Sequence, residues 1–299
     1  MINLVGLAAL QAVEQHGSVV AAAAAAGYTP SGVSQQIKRL ERQAGVELLE
    51  RVGRNVVLTA AGRLLVARGA GLLAELETIQ AELQRASDSI TGHVRLGAMS
   101  TAMRGMVGPA IGALAADHPD LQVGLTECEP WEAIEKVAIG GLDAAVVHSW
   151  GDVPLAIPEH VTIVPLGTDV ADVIAPTGHR VCDAAPVSPH DLLDEPWIAT
   201  PTSTICRQWL ERMYLGTDRS PRVVHEALEY QSHLALVAAG LGIALIPRLG
   251  RGELPEGVVA VAVGEPLPFR SISLIHRRSA AASPITDLLR TALASHMPP

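Results

Sequence analysis

Ser31, Ser34, Gln35, Lys38 and Arg42 are the residues of this chain best suited to reading a nucleic acid. They recur three and four apart, which puts them along one face of a single helix. Val33, Ile37 and Leu40 fall on the opposite face and mark a buried stripe. Hydroxyls and cationic tips serve phosphates, and a glutamine can pair with adenine through two hydrogen bonds. A helix of this kind suits a major groove.

The sequence around that helix positions it. Ser18 is placed to cap a first short helix over 19–26, rich in alanine, and Gly27 stands where a left-handed C-terminal residue is needed. Tyr28 and Thr29 complete a turn; Thr29 is the next N-cap, and Pro30 fits the first helical position. Alanine lets two helices approach closely over a short turn without loss of helix propensity. Taken alone, such a hairpin could equally be an ordinary core element. Upstream, Asn3 caps a helix carrying Leu4, Leu7, Leu10 and Val13 and ending at Gly17. Downstream, Leu48 and Leu49 are core candidates, and residues 51–58 have a glycine-containing turn between apolar flanks. That pattern predicts a small hairpin wing whose Arg51 and Arg54 reach phosphates or the adjacent minor groove.

Charge is distributed accordingly. The whole chain carries −9, yet residues 29–68 hold Lys38, Arg39, Arg42, Arg51, Arg54, Arg63 and Arg68 against Glu41, Glu47 and Glu50, a local +4. A basic N-terminal part on an acidic body is the footprint of a nucleic-acid binder. With 299 residues, 48% apolar and 18% charged, the chain has room for two or three globular domains. The N-terminal residues lack the charged and apolar blocks of a secretory signal, and 234–247 is too short to span a bilayer. Cys128, Cys182 and Cys206 are scattered and form no C-x-x-C pair. These features predict a cytoplasmic protein with no membrane contact. G-x-S-x-G, H-E-x-x-H, G-x-x-x-x-G-K-[ST] and G-x-G-x-x-G patterns are missing where chemistry would need them, so an enzyme is not expected.

Thr59 should cap a long helix over 60–86, with Leu65, Leu72 and Ile79 seven apart and Leu76 and Leu83 as the interleaved row. A helix that long cannot bury such a seam by itself, and a partner helix from a second subunit is the natural cover, with Gly69 as the weak position. After a linker at 87–92, strands and helices alternate as in a parallel α/β sheet that binds ligands beyond its strand ends. Strands are expected at 93–100, 121–128, 142–149, 161–166, 170–176, 197–200, 223–228, 241–247 and 269–276. Two crossings between two lobes imply a cleft and a hinge.

With those segments in place, the chain resembles LysR-type transcriptional regulators over nearly its whole length. The alanine-rich helix, T-P-S-G-V-S-Q-Q-I-K-R-L-E, G-V-E-L-L-E-R and L-T-A-A-G carry the N-terminal likeness. HVRLGAMST, HPDLQVGL, GGLDAAVV, DLLDEPWI and LVAAGLGIALIP carry the rest. The resemblance implies an α/β fold class: an all-α winged helix–turn–helix over 1–59 and a dimerising linker helix with hinge over 60–90. A two-lobed effector domain, similar to periplasmic binding proteins, would fill 91–299, with lobe I near 91–162 and 266–299 and lobe II near 163–265. Carried over by position, Thr29, Pro30, Ser31, Ser34, Gln35 and Lys38 would face a pseudo-palindromic double-stranded DNA operator, with Arg51 and Arg54 on the wing. A small-molecule effector would sit between the lobes near Ser100, Thr101, His148, Thr200, Thr202 and Ser203. The assembly would be a homodimer or homotetramer, with no cofactor or metal. Leu49 and Gln35 depart from the phenylalanine and arginine common at those positions, so base preference does not transfer. Hydroxyls beside helix N-termini suit a carboxylate effector; Glu127 and Glu129 keep a basic amino acid open. Two further readings are a thiol sensor built on Cys206, which needs a resolving partner, and a solute-binding protein.

Overall fold

The computed structural model describes residues 2–52, 55–86, 90–151, 153, 155–184, 186–214, 218–265 and 267–297. The N-terminal unit is built from caps that behave as their residue types demand. Asn3 accepts from Val5 N to start α1 (Leu4–His16), and Ser18 accepts from Ala21 N to start α2 (Val19–Ala26). Thr29 accepts from Gly32 N to start α3 (Pro30–Ala44). Gly17, Gly27 and Gly45 close the three helices with φ near +70°, the left-handed region that glycine enters without penalty. Leu7, Leu10, Val33, Ile37, Leu40 and Leu48 are buried between these helices and the wing. The wing is the antiparallel pair β1 (Leu49–Val52) and β2 (Asn55–Leu58).

The long helix α4 (Ala60–Arg85) is capped by Thr59, whose hydroxyl accepts from Gly62 N. Its first half belongs to the N-terminal core through Val66. Gly69 is not a weak point of a seam: a Cβ there would stand 2.5 Å from Leu7 Cδ1, so glycine is what lets α1 cross α4 closely. The second half leaves Leu72, Leu76, Ile79 and Leu83 exposed on the single chain.

The body is a mixed sheet in the order β4-β3-β5-β11-β6-β9-β7-β8, with β10 also on β6. Its strands are β3 (Gly92–Ala98), β4 (Leu121–Glu127), β5 (Ala144–Trp150), β6 (Val161–Pro176), β7 (Trp197–Ala199), β8 (Val223–Glu226), β9 (Ile243–Pro247), β10 (Val258–Val261) and β11 (Phe269–Arg277). In the first lobe, β3 pairs in parallel with β4 and β5, while β11 is antiparallel. One face carries a helical run of α5 (Ser100–Ala102), a π-helical turn at Met103–Val107 and α6 (Gly108–Asp117), together with α10 (Pro284–Ser295). The other face carries α7 (Pro130–Ala138). In the second lobe α8 (Ile205–Arg212) and α9 (Tyr230–Ala238) cover opposite faces in the same way.

One expectation is corrected. The two strands expected at 161–166 and 170–176 are a single strand, β6, because the intervening Gly167-Thr168-Asp169 is not a turn. The register against β11 skips Leu166 between Pro165 and Gly167, a bulge that accommodates a residue with no N–H to donate. Residues 161–170 of β6 pair with β11, and 171–176 pair with β9 and β10. The crossing between lobes therefore lies near residue 170 rather than 162. The chain returns beside it, where the Pro268 carbonyl accepts from Ala171 N at 2.8 Å.

Candidate nucleic-acid interface and interlobe cleft

On α3, Ser31, Gln35, Lys38, Arg39 and Arg42 are exposed, opposite the buried Val33, Ile37 and Leu40. Thr29 and Pro30 are exposed at its start, and Ser34 is half-buried on the flank. The Thr29 hydroxyl lies 3.1 Å from Ser31 Oγ, so the cap also holds the first side chain of the face. Glu41, an acid of the basic stretch, is turned away: its Oε1 accepts from Leu48 N at 2.8 Å and Leu49 N at 3.2 Å. That carboxylate fixes the wing against α3 and leaves the exposed face more cationic. Arg51 is exposed on β1; Arg54 lies outside the described residues. Arg39, on the same helix, stands beside these residues without having been singled out.

Between the lobes lies a cleft with about 330 Å³ of unfilled space, lined by Ser100, Thr101, Glu129, His148, Thr200 and Arg270 among others. Of the candidates from sequence, Ser100, Thr101, His148 and Thr200 come together here. Thr202 and Ser203 do not: both are exposed on the loop, and the lining position is taken by Thr204, the N-cap of α8. Glu129, itself exposed, lines the cleft mouth; Glu127, also exposed, is not among the lining residues.

Arg270 was not anticipated, yet it organises the cleft floor. It is 1% exposed, with Nε donating to Asp169 Oδ2 and Nη2 to Thr101 Oγ1, both at 2.8 Å. Asp169 accepts in addition from Leu249 N at 2.9 Å. The guanidinium carbon lies 5.9 Å from the centroid of the Trp150 ring, and Trp150 in turn stacks on Trp209 at 5.8 Å. A signal was present: Arg270 alternates in phase with Ile272 and Leu274, the inward face of its strand.

Burial, and secondarily the Arg270 charge, hold the His148 imidazole well below its ordinary pKa, so it is neutral. Partial burial at the cleft mouth, followed by the nearby carboxylates Glu127 and Glu229, pushes Glu129 up. Cys206 is also in the lining, and burial pushes its thiol up. Burial thus outweighs the pull of the helix N-terminus toward a thiolate, and all three cysteines are free. Among the described residues no helix is long and apolar enough to cross a membrane, and no cluster of His, Cys, Asp or Glu could hold a metal ion.

Comparison with known proteins agrees with both halves. Residues 4–63 match the bacterial regulatory helix–turn–helix of the LysR family, and residues 87–298 match the LysR substrate binding domain. The chain is 24% identical over 279 residues to the uncharacterized regulator YybE of Bacillus subtilis, covering 93% of each. It is 29% identical over 225 residues to the regulator XapR of Escherichia coli, covering 75% of each. Full-length OxyR from Pseudomonas aeruginosa superposes with a TM-score of 0.73 at 20% identity, covering 98% of this chain and 95% of that one. The matched domains and relatives are DNA-binding regulators rather than enzymes. A winged helix–turn–helix joined by a long helix to a two-lobed domain, matched over both parts, means that this chain belongs to the LysR family of bacterial transcription regulators.

Proposed function

We propose that this regulator acts in the cytoplasm as a homodimer or homotetramer on a pseudo-palindromic operator, under control of a small molecule held between its lobes. The winged helix–turn–helix would occupy residues 1–59, the linker helix 60–90 and the effector domain the remainder. The observation that carries the reading is the exposed face of α3, where Ser31, Gln35 and Lys38 stand together beyond the Thr29 cap. Thr29, Pro30 and Ser34 flank it, and Arg51 and Arg54 would grip phosphates from the wing. A protein of similar fold, CbnR, has been solved with its target DNA, with a TM-score of 0.57 to this chain. The exposed leucines of α4 support a partner helix, and two recognition helices would then address half-sites about one helical turn apart or a multiple of it. Ser100, Thr101, His148 and Thr200 would meet the effector.

The test is selection of genomic fragments by the purified protein, with affinity followed across salt concentrations. Enrichment of a two-fold symmetric site, a steep salt dependence, and its loss on Lys38→Ala with Gln35→Ala are the expected results. Weak binding without a preferred site, unchanged by a metabolite extract, would count against the reading.

A further inference from the structure

On the second-lobe wall of the interlobe cleft, the existing hydrogen bonds leave Thr200 an acceptor. Thr204 donates its single proton to the Pro201 carbonyl at 2.8 Å and accepts from Arg207 N at 3.2 Å. The 2.7 Å contact between Thr200 and Thr204 must then be donated by Thr200. Only lone pairs of Thr200 remain for a ligand. Arg270 is committed as well, since Asp169 neutralises it and Thr101 takes a second N–H. A guanidinium already paired with a buried carboxylate offers little net charge to an anion.

What is left uncompensated is negative. Glu129 lines the cleft, and Glu127 and Glu229 act on it from the end of β4 and the start of α9. Glu229 is partly balanced by Arg104 at 3.5 Å. An independent feature points to the same space. His148 is 2% exposed, lines the cleft, and its Nδ1 is buried with no hydrogen-bond partner. A buried polar nitrogen left unpaired costs roughly 1–3 kcal/mol, and a bound ligand would pair it.

We infer that the effector is a small amine, its ammonium group held by Glu129 at the cleft mouth and its other polar group meeting Thr200 and His148 within. The inference deepens the proposed effector site and rests on it. It selects the amine over the carboxylate because the lining cation Arg270 is already paired with Asp169, whereas no cation pairs with Glu129 among the described ion pairs.

The experiment titrates the full-length protein with small primary amines (putrescine, ethanolamine, glycinamide) and with small acids (succinate, glycolate, lactate). It follows the thermal unfolding midpoint and the footprint on the selected operator. At least one amine should raise the midpoint and alter the footprint, and Glu129→Gln should weaken it about tenfold or more. Thr200→Val should weaken it as well. An amine that binds Glu129→Gln undiminished overturns the inference. Acids that act where amines do not overturn the amine class while leaving the cleft as an effector site. If neither set acts, the amine class also falls, and the footprint response to a metabolite extract decides the cleft separately.

Discussion

Arg270 and Asp169 face each other across β11 and β6, the two strands on which the lobes meet. Each is 1% exposed at the side chain, so removing one strands the other. Arg270→Met should destabilise the protein by about 3–5 kcal/mol in urea unfolding. Adding Asp169→Leu should recover much of that loss, because a well-packed apolar pair can replace a buried ion pair. A double variant as unstable as the single one would mean that the bonds to Thr101 and Leu249 N dominate. At this scale the sequence was legible where period decides: the face of α3 follows from helical spacing alone. It was misleading where chain path decides. Thr202 and Ser203 look like Thr200 and Thr204 in sequence, yet the turn into α8 points the first pair outward. Arg270 escaped because buried arginine is rare, although its strand phase marked it.

Among the elements, α4 shows how one helix serves two surroundings. Its N-terminal turns pack under the winged domain through Val66 and Gly69. Further along, Leu72 and Leu83 are 61% and 67% exposed. A row of leucines left in water over several turns calls for cover. Leu72→Glu with Leu83→Glu should lower self-association by about tenfold or more in sedimentation equilibrium, since charges on a coiled-coil seam oppose pairing. Far-UV circular dichroism should hardly change, because neither side chain supports the single chain's fold. Persistent dimers would place the subunit contact elsewhere. The exposed leucine row was readable as part of a seven-residue repeat, and so was the helix start at Thr59. The continuity of β6 was not, because Pro165 and Gly167 carry the usual marks of a turn. Only cross-strand partners, which are distant in sequence, turn that turn signal into a bulge.

For the molecule as a whole, DNA contact and cleft are coupled only if something rigid joins them. The second half of α4 is tied to the first lobe by Arg277, which donates from Nε to Glu77 at 2.9 Å and from Nη1 to the Val137 and Leu142 carbonyls at 2.8 and 2.7 Å. Ser279 donates to Glu77 as well, and Ser283 donates to Gln84 at 3.1 Å. The winged domain touches the same lobe where His16 Nδ1 lies 3.3 Å from Glu135. Arg277 also closes β11, the strand that carries Arg270 at the cleft floor. A shift of the lobes on effector binding would thus reach α4 through one strand and one guanidinium. Glu77→Gln keeps the helix and the size of the side chain but removes the charge from this joint. It should leave DNA affinity without effector and effector affinity without DNA nearly unchanged. The factor by which each alters the other should shrink, from the 5–150-fold typical of such coupling toward about unity. Reciprocal titrations measure both factors, which must agree for an equilibrium coupling. If both stay large in Glu77→Gln, the signal passes through the His16–Glu135 contact or through the partner subunit, and Glu135→Gln separates those routes.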